Sequence, residues 1–170
     1  IAIFISNWSE SVANKNYFTR SLSAIITEHK ENIDVLEYAI QRQAKFIDTL
    51  RTYYKNDTVY LRYIVRKAEG INTPDLKSTT WRFLIDDSKH TLIPIEFISR
   101  LSEIDKYYSL INEAILKSKD HLYSVGAYND IYVKKVFAGL IQDLIGLEVE
   151  LIRELKDFNE YAVTQNLMNG

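Results

Sequence analysis

The chain has 170 residues, of which 46% are hydrophobic and 26% charged, with 21 Lys and Arg against 23 Asp and Glu for a net charge of −2. That length suits one domain with a substantial core. Acids and bases alternate, as in Lys45, Asp48 and Arg51, which speaks against a phosphate-backbone surface and hence against a nucleic-acid partner. The absence of cysteine excludes disulfides, thiolate metal sites and a cysteine nucleophile.

The first ten residues, Ile-Ala-Ile-Phe-Ile-Ser-Asn-Trp-Ser-Glu, begin without Met and pass from apolar side chains into Asn7 and Trp8. A Trp followed by polar residues suits a bilayer edge, because the indole ring buries among acyl chains while its N–H stays near the headgroups. Residues 1–8 therefore read as the C-terminal end of a truncated transmembrane helix, with Asn7 and Trp8 at the membrane interface. Alone the stub is too short, since a span takes about 18 apolar residues. Residues 9–165 read as a helical domain and 166–170 as a frayed tail.

Within that domain Leu22, Ile26, His29, Ile33, Leu36, Ile40, Gln43, Ile47, Leu50 and Tyr54 alternate spacings of four and three, the pattern of a coiled-coil seam. Asn56, Asp57 and Thr58 form the first credible turn, and Asp57 or Thr58 is expected to cap a shorter helix from Val59 to Lys67 that Gly70 ends. A loop follows over Ile71 to Lys77, then a helix from Thr79 to about Asp87 with Ser78 as its cap. Pro94 fits the first turn of the next helix, where Phe97, Leu101, Ile104, Tyr108, Ile111, Ile115, Ser118, Leu122 and Val125 form one stripe. Gly126 is expected to close it in a left-handed conformation.

The last helix is expected from about Tyr128 to Ala162, with Val133, Phe137, Leu140, Leu144, Leu147, Leu151, Leu155, Phe158 and Ala162 on its stripe. This spacing carries one stutter, and Ile141, Ile145 and Ile152 widen the face, so the helix should be the most buried and pack between two others. The fold class read from these patterns is all-α, an elongated antiparallel bundle of long helices.

The chemistry-bearing residues are few. Asp87-Ser88-Lys89-His90 mimics half of a carboxylate-x-x-His metal motif, and no second copy exists, so Asp86 and Asp87 are placed in the turn toward Pro94. His29 sits on the first seam as a polar core residue that sets register, and His121, beside Asp120, is placed on the surface. Gly139 and Gly146, seven apart, are read as packing positions where a backbone or a ring such as Trp81 approaches closely. Twelve tyrosines, paired at Tyr53-Tyr54 and Tyr107-Tyr108, either cover the bundle ends or anchor an interface. No phosphate loop, dinucleotide fingerprint or nucleophile elbow occurs, so no enzyme activity and no cofactor is expected.

The junction Ala2-Ile3-Phe4-Ile5-Ser6-Asn7-Trp8-Ser9-Glu10, followed by Tyr17-Phe18-Thr19-Arg20-Ser21-Leu22, resembles a family of bacterial membrane-anchored proteins of unknown function, whose single transmembrane helix ends in a motif like Leu-Gln-Ile-Asn-Asn-Trp-Asn-Glu. A second similarity lies at Trp81-Arg82-Phe83-Leu84, Leu92-Ile93 and Leu101-Ser102-Glu103-Ile104-Asp105 before a Tyr pair. The resemblance implies a single-pass protein of the bacterial inner membrane with a periplasmic helical domain, and it supplies no catalytic residues. The reading that follows is a membrane-tethered scaffold or accessory subunit acting by protein contacts, as a homo-oligomer or within a larger membrane complex. The alternative is an extracytoplasmic small-ligand sensor with a pocket near Trp81, His90, Tyr107 and Tyr108.

Overall fold

In a computed structural model of the chain, residues 2–56, 58–86 and 94–168 are described, with side chains over 16–56, 58–82 and 94–165. Five helices and no strand occur among the described residues: α1 (Ala2–Thr52), α2 (Leu61–Lys67), α3 (Thr79–Asp86), α4 (Ile95–Val125) and α5 (Ile131–Met168). The all-helical expectation therefore stands. Residues 2–8 are continuous with α1, and α5 runs four residues past Thr164. No described helix is long and apolar enough to cross a membrane.

The chain divides into two compact units, and α1, α4 and α5 each contribute a portion to both. The first comprises residues 1–33, 77–104 and 154–170. Its core centres on Phe97, whose ring meets Phe18 edge-on at 5.5 Å, Phe158 at 5.7 Å and Tyr161 at a tilt at 5.0 Å. Edge-to-face pairs set the positive rim of one ring against the negative face of another, which adds to the gain from burial. Leu22, Ile25, Leu101, Ile104, Leu155 and Ala162 complete this core. Polar groups of α1 hold the segment that enters α3. Asn32 Nδ2 donates to Lys77 O at 2.7 Å while the Lys77 N–H donates back to Asn32 Oδ1 at 2.9 Å. The Thr80 N–H and hydroxyl both donate to Glu28 Oε2, at 3.0 and 2.8 Å. A carboxylate at a helix start satisfies an orphan N–H and opposes the positive end of the dipole.

The second unit comprises residues 34–76 and 105–153. Its core joins Phe46, Ile47 and Leu50 of α1 to Leu61 and Ile64 of α2 and to Phe137, Ala138 and Ile141 of α5. Most of the sequence stripes on α1 and α4 faces the cores, with Leu36, Gln43 and Leu50 and with Tyr108, Ile111 and Ser118 all buried, while Ile26, Ile40, Tyr54, Leu122 and Val125 are half-buried and Ile25 and Ala39, off the α1 stripe, are buried in their place.

Several local expectations are corrected. Thr58 does not cap α2: Tyr60 is the N-cap residue and offers no side-chain cap bond, and Asp57 lies outside the described residues. The orphan donors go instead to the α4–α5 turn, with Leu61 N–H bonded to Tyr128 O at 3.4 Å and Arg62 N–H to Gly126 O at 3.0 Å. Gly126 is not left-handed; positive φ occurs among the described residues at Glu69 (62°) and Gly70 (91°). Gly is needed at 126 because an added Cβ would lie 2.8 Å from Arg62 Cγ and closer still to Leu122 O. A Cβ added at Gly139 or Gly146 would meet nothing within 4 Å among the described residues, so none of those residues makes the close approach expected there.

The stutter in α5 also disappears. Apart from Ala138 beside the seam, the buried residues are Lys134, Phe137, Ile141, Leu144, Glu148, Leu151, Leu155, Phe158 and Ala162, which alternate three and four without a break. Leu140 and Leu147, placed on the seam from sequence, are only half-buried. As expected, α5 packs against two helices within each unit. Phe158 meets His29 of α1 and Phe97 of α4, and Phe137 meets Phe46 of α1 and His121 of α4.

Candidate functional site

The residues singled out from sequence fall in different surroundings. Trp81 of α3 is buried in the first unit at 2% exposure, with the Arg82 guanidinium 5.2 Å from its ring. Tyr107, half-buried, and Tyr108, at 3% exposure, belong to α4 of the second unit. His90 and Asp87 lie outside the described residues, as do the side chains of Asp86, Asn7 and Trp8. Among the described residues no group of three His, Asp or Glu side chains stands ready to hold a metal ion.

His29 is a fully buried core residue. Asn159 Oδ1 can only accept, so the 3.1 Å contact requires His29 Nδ1 to carry the hydrogen, and the ring packs edge-on to Phe158 at 5.0 Å. Burial lowers its pKa to about 4 against the partial opposition of the Asn159 bond, so the ring is neutral near pH 7. His121 is not a surface residue: it is half-buried and stacks on Phe137 at 6.0 Å.

Two buried ionisable groups in the second unit escaped the sequence pattern because the apolar stripe passes over them. Lys134, at 0% exposure, donates to Tyr53 O at 3.1 Å and Asn56 O at 2.7 Å. Its ammonium thus satisfies carbonyls just past the end of α1, where the dipole favours a cation. Glu148, also at 0% exposure, accepts a bond from Gln43 Nε2 at 2.9 Å, and the same nitrogen donates to Asn72 O at 2.8 Å. Burial raises the Glu148 pKa to about 7, and the Gln43 bond only partly offsets it. Glu148 Oε2 and Gln43 Oε1 have no hydrogen-bond partner among the described residues. The pair is a structural polar contact that a protonated Glu148 tolerates best.

The surface of the second unit is more distinctive. Tyr60, Tyr63, Tyr123, Tyr128 and Tyr132 are each more than half exposed. Hydrogen bonds bring their segments together: Leu61 N–H donates to Tyr128 O, and the Arg62 guanidinium donates to Tyr123 O at 2.7 Å. The two segments involved, residues 51–68 and 117–135, hold seven of the 12 tyrosines and nine Lys and Arg against three Asp. Lys134 is buried, and Arg51 and Lys117 pair with Asp48 and Glu113 just outside these segments, which leaves six Lys and Arg against three Asp, a surplus of three positive charges along two segments of a chain whose net charge is −2. Rigid rings with polar tips beside arginines are the composition from which protein interfaces draw their strongest contacts. Whole-chain charge balance had hidden this local asymmetry.

Comparison with protein-family models, with characterised proteins and with solved structures finds no significant match.

Proposed function

We propose that the chain is a membrane-tethered helical scaffold or accessory subunit of a bacterial envelope complex, an elongated antiparallel bundle that acts through protein contacts. The observation that carries this reading is the exposed tyrosine-rich basic surface built from α2 and the α4–α5 turn. Water does little to favour five large rings left outside the core, whereas a partner surface buries them at small entropic cost, since Tyr has only two side-chain torsions. The anchor and the periplasmic placement rest on the Asn7-Trp8 junction and the family resemblance. The test is native mass determination of the full-length protein extracted in mild detergent, with crosslinking on the same sample. A stoichiometric complex, homomeric or mixed, supports the proposal, and a strictly monomeric protein that captures no membrane partner refutes it.

A further inference from the structure

We infer that the cavity between α1 and the end of α2 is an anion-binding site for a carboxylate or phosphoryl group, with Glu69 as an internal occupant that the ligand displaces. Arg42, Lys45 and Thr49 stand at successive spacings of three and four, so helical periodicity puts them on one face of α1. Lys67 at the end of α2 and Glu69 just past it line the opposite wall of this open cavity of about 220 Å³. Three cations line it against one carboxylate. Arg42 pairs with Glu69 at 2.9 Å, and Lys67 donates to the Tyr53 hydroxyl at 2.6 Å, a bond that raises the pKa of the ammonium. Lys45 has no acidic partner among the described residues. Clustered cations repel unless an anion sits among them, and a guanidinium is shaped for the two oxygens of a carboxylate or phosphate.

The backbone at Glu69 points the same way. Gly70 N–H bonds to Val65 O at 2.8 Å and Glu69 N–H to Arg66 O at 3.2 Å, the paired bonds of a Schellman end to α2. That motif needs a left-handed residue at position 69, where φ is 62°. Gly takes that conformation freely, and Glu takes it at a steric cost. What the Glu side chain contributes in return is a carboxylate on Arg42. The pair is weakly held, because the Glu69 side chain is 79% exposed, so an external anion competes with it on favourable terms.

The test follows backbone amide shifts of the 170-residue chain during titration with inorganic phosphate at fixed ionic strength. Saturable shifts confined to residues 42–49 and 66–70 are expected, lost in Arg42→Gln and shifted to about threefold tighter binding in Glu69→Gln, which removes the competing charge but keeps the side chain's size. Shifts that follow ionic strength alone, or that persist unchanged in Arg42→Gln, overturn the site; an unchanged affinity in Glu69→Gln overturns the displacement. Hexaglutamate serves as the second probe. Tighter binding of hexaglutamate identifies the natural occupant as an acidic side chain of a docked protein, and tighter binding of phosphate identifies a free phosphoryl compound. The phosphate result is independent of the scaffold reading, so the two fail separately.

Discussion

Replacing Glu148 by Gln should stabilise the protein above neutral pH and leave it almost unchanged in acid. Burial raises the carboxyl from its ordinary value of 4.5 to about 7, so the folded chain holds a proton that the unfolded chain has released over that range. A group with a raised folded pKa contributes its full stability below the unfolded value and loses it as pH rises through the folded one. The gap of about 2.5 pH units, at about 1.4 kcal/mol per unit, gives a loss of at most about 3–4 kcal/mol between pH 4.5 and 7. The amide introduced by Glu148→Gln would not ionise, its oxygen can accept the bond from Gln43 Nε2, and its nitrogen would face the unpartnered Gln43 Oε1. Urea unfolding of both proteins at half-unit steps from about pH 4.5 to 8.5 is the assay. The difference in unfolding free energy should begin near zero, rise in favour of Glu148→Gln and level off above pH 7 at about 2–3 kcal/mol, which is a midpoint shift of about 1–2 M urea. A difference curve flat across that range would show that Glu148 does not titrate as a buried acid, and the reasoning would fall.

His29 acts in the opposite direction: its folded pKa is depressed to about 4, so its stability contribution is present above pH 6.5 and is lost as pH falls toward 4. Native stability of Glu148→Gln should therefore decline on acidification from pH 6.5, and the decline should shrink in Glu148→Gln combined with His29→Gln. Lys134→Met removes both bonds to Tyr53 O and Asn56 O from a fully buried site and should cost about 2–4 kcal/mol by urea unfolding at about pH 7. Phe97→Ala empties the ring cluster of the first unit and should cost about 3–5 kcal/mol in the same assay. Glu69→Gly should raise stability by up to about 1 kcal/mol, because relief of the left-handed strain exceeds the worth of one exposed ion pair.

Much of the fold is legible in the sequence because long apolar stripes report burial directly. Leu36 and Leu50, or Ile104 and Ile111, could hardly be placed anywhere but in a core. The failures come where a polar residue carries a core position. Lys134 and Glu148 continue the α5 seam, yet their charges led the pattern onto Leu140 and Leu147 and produced a stutter the helix does not have. Caps failed for a related reason: the first N–H groups of α2 are satisfied by Gly126 and Tyr128, far along the chain, so no local residue could announce them. At Gly126 the sequence marks the right residue, but close approach to Arg62 rather than conformational freedom requires it. The tyrosines were visible as a count, but their gathering with basic residues on one surface depends on α2 meeting the α4–α5 turn, which only the tertiary fold supplies.

The most direct test of the contact reading is native mass determination of the full-length protein in mild detergent beside a variant carrying Tyr63→Ser, Tyr123→Ser and Tyr132→Ser, three exposed positions whose loss should spare the core. The account predicts a stoichiometric complex for the native protein and its dissociation in the variant, with the unfolding transition unchanged. A native protein that is monomeric without partners, or a complex that survives the three substitutions intact, would contradict it.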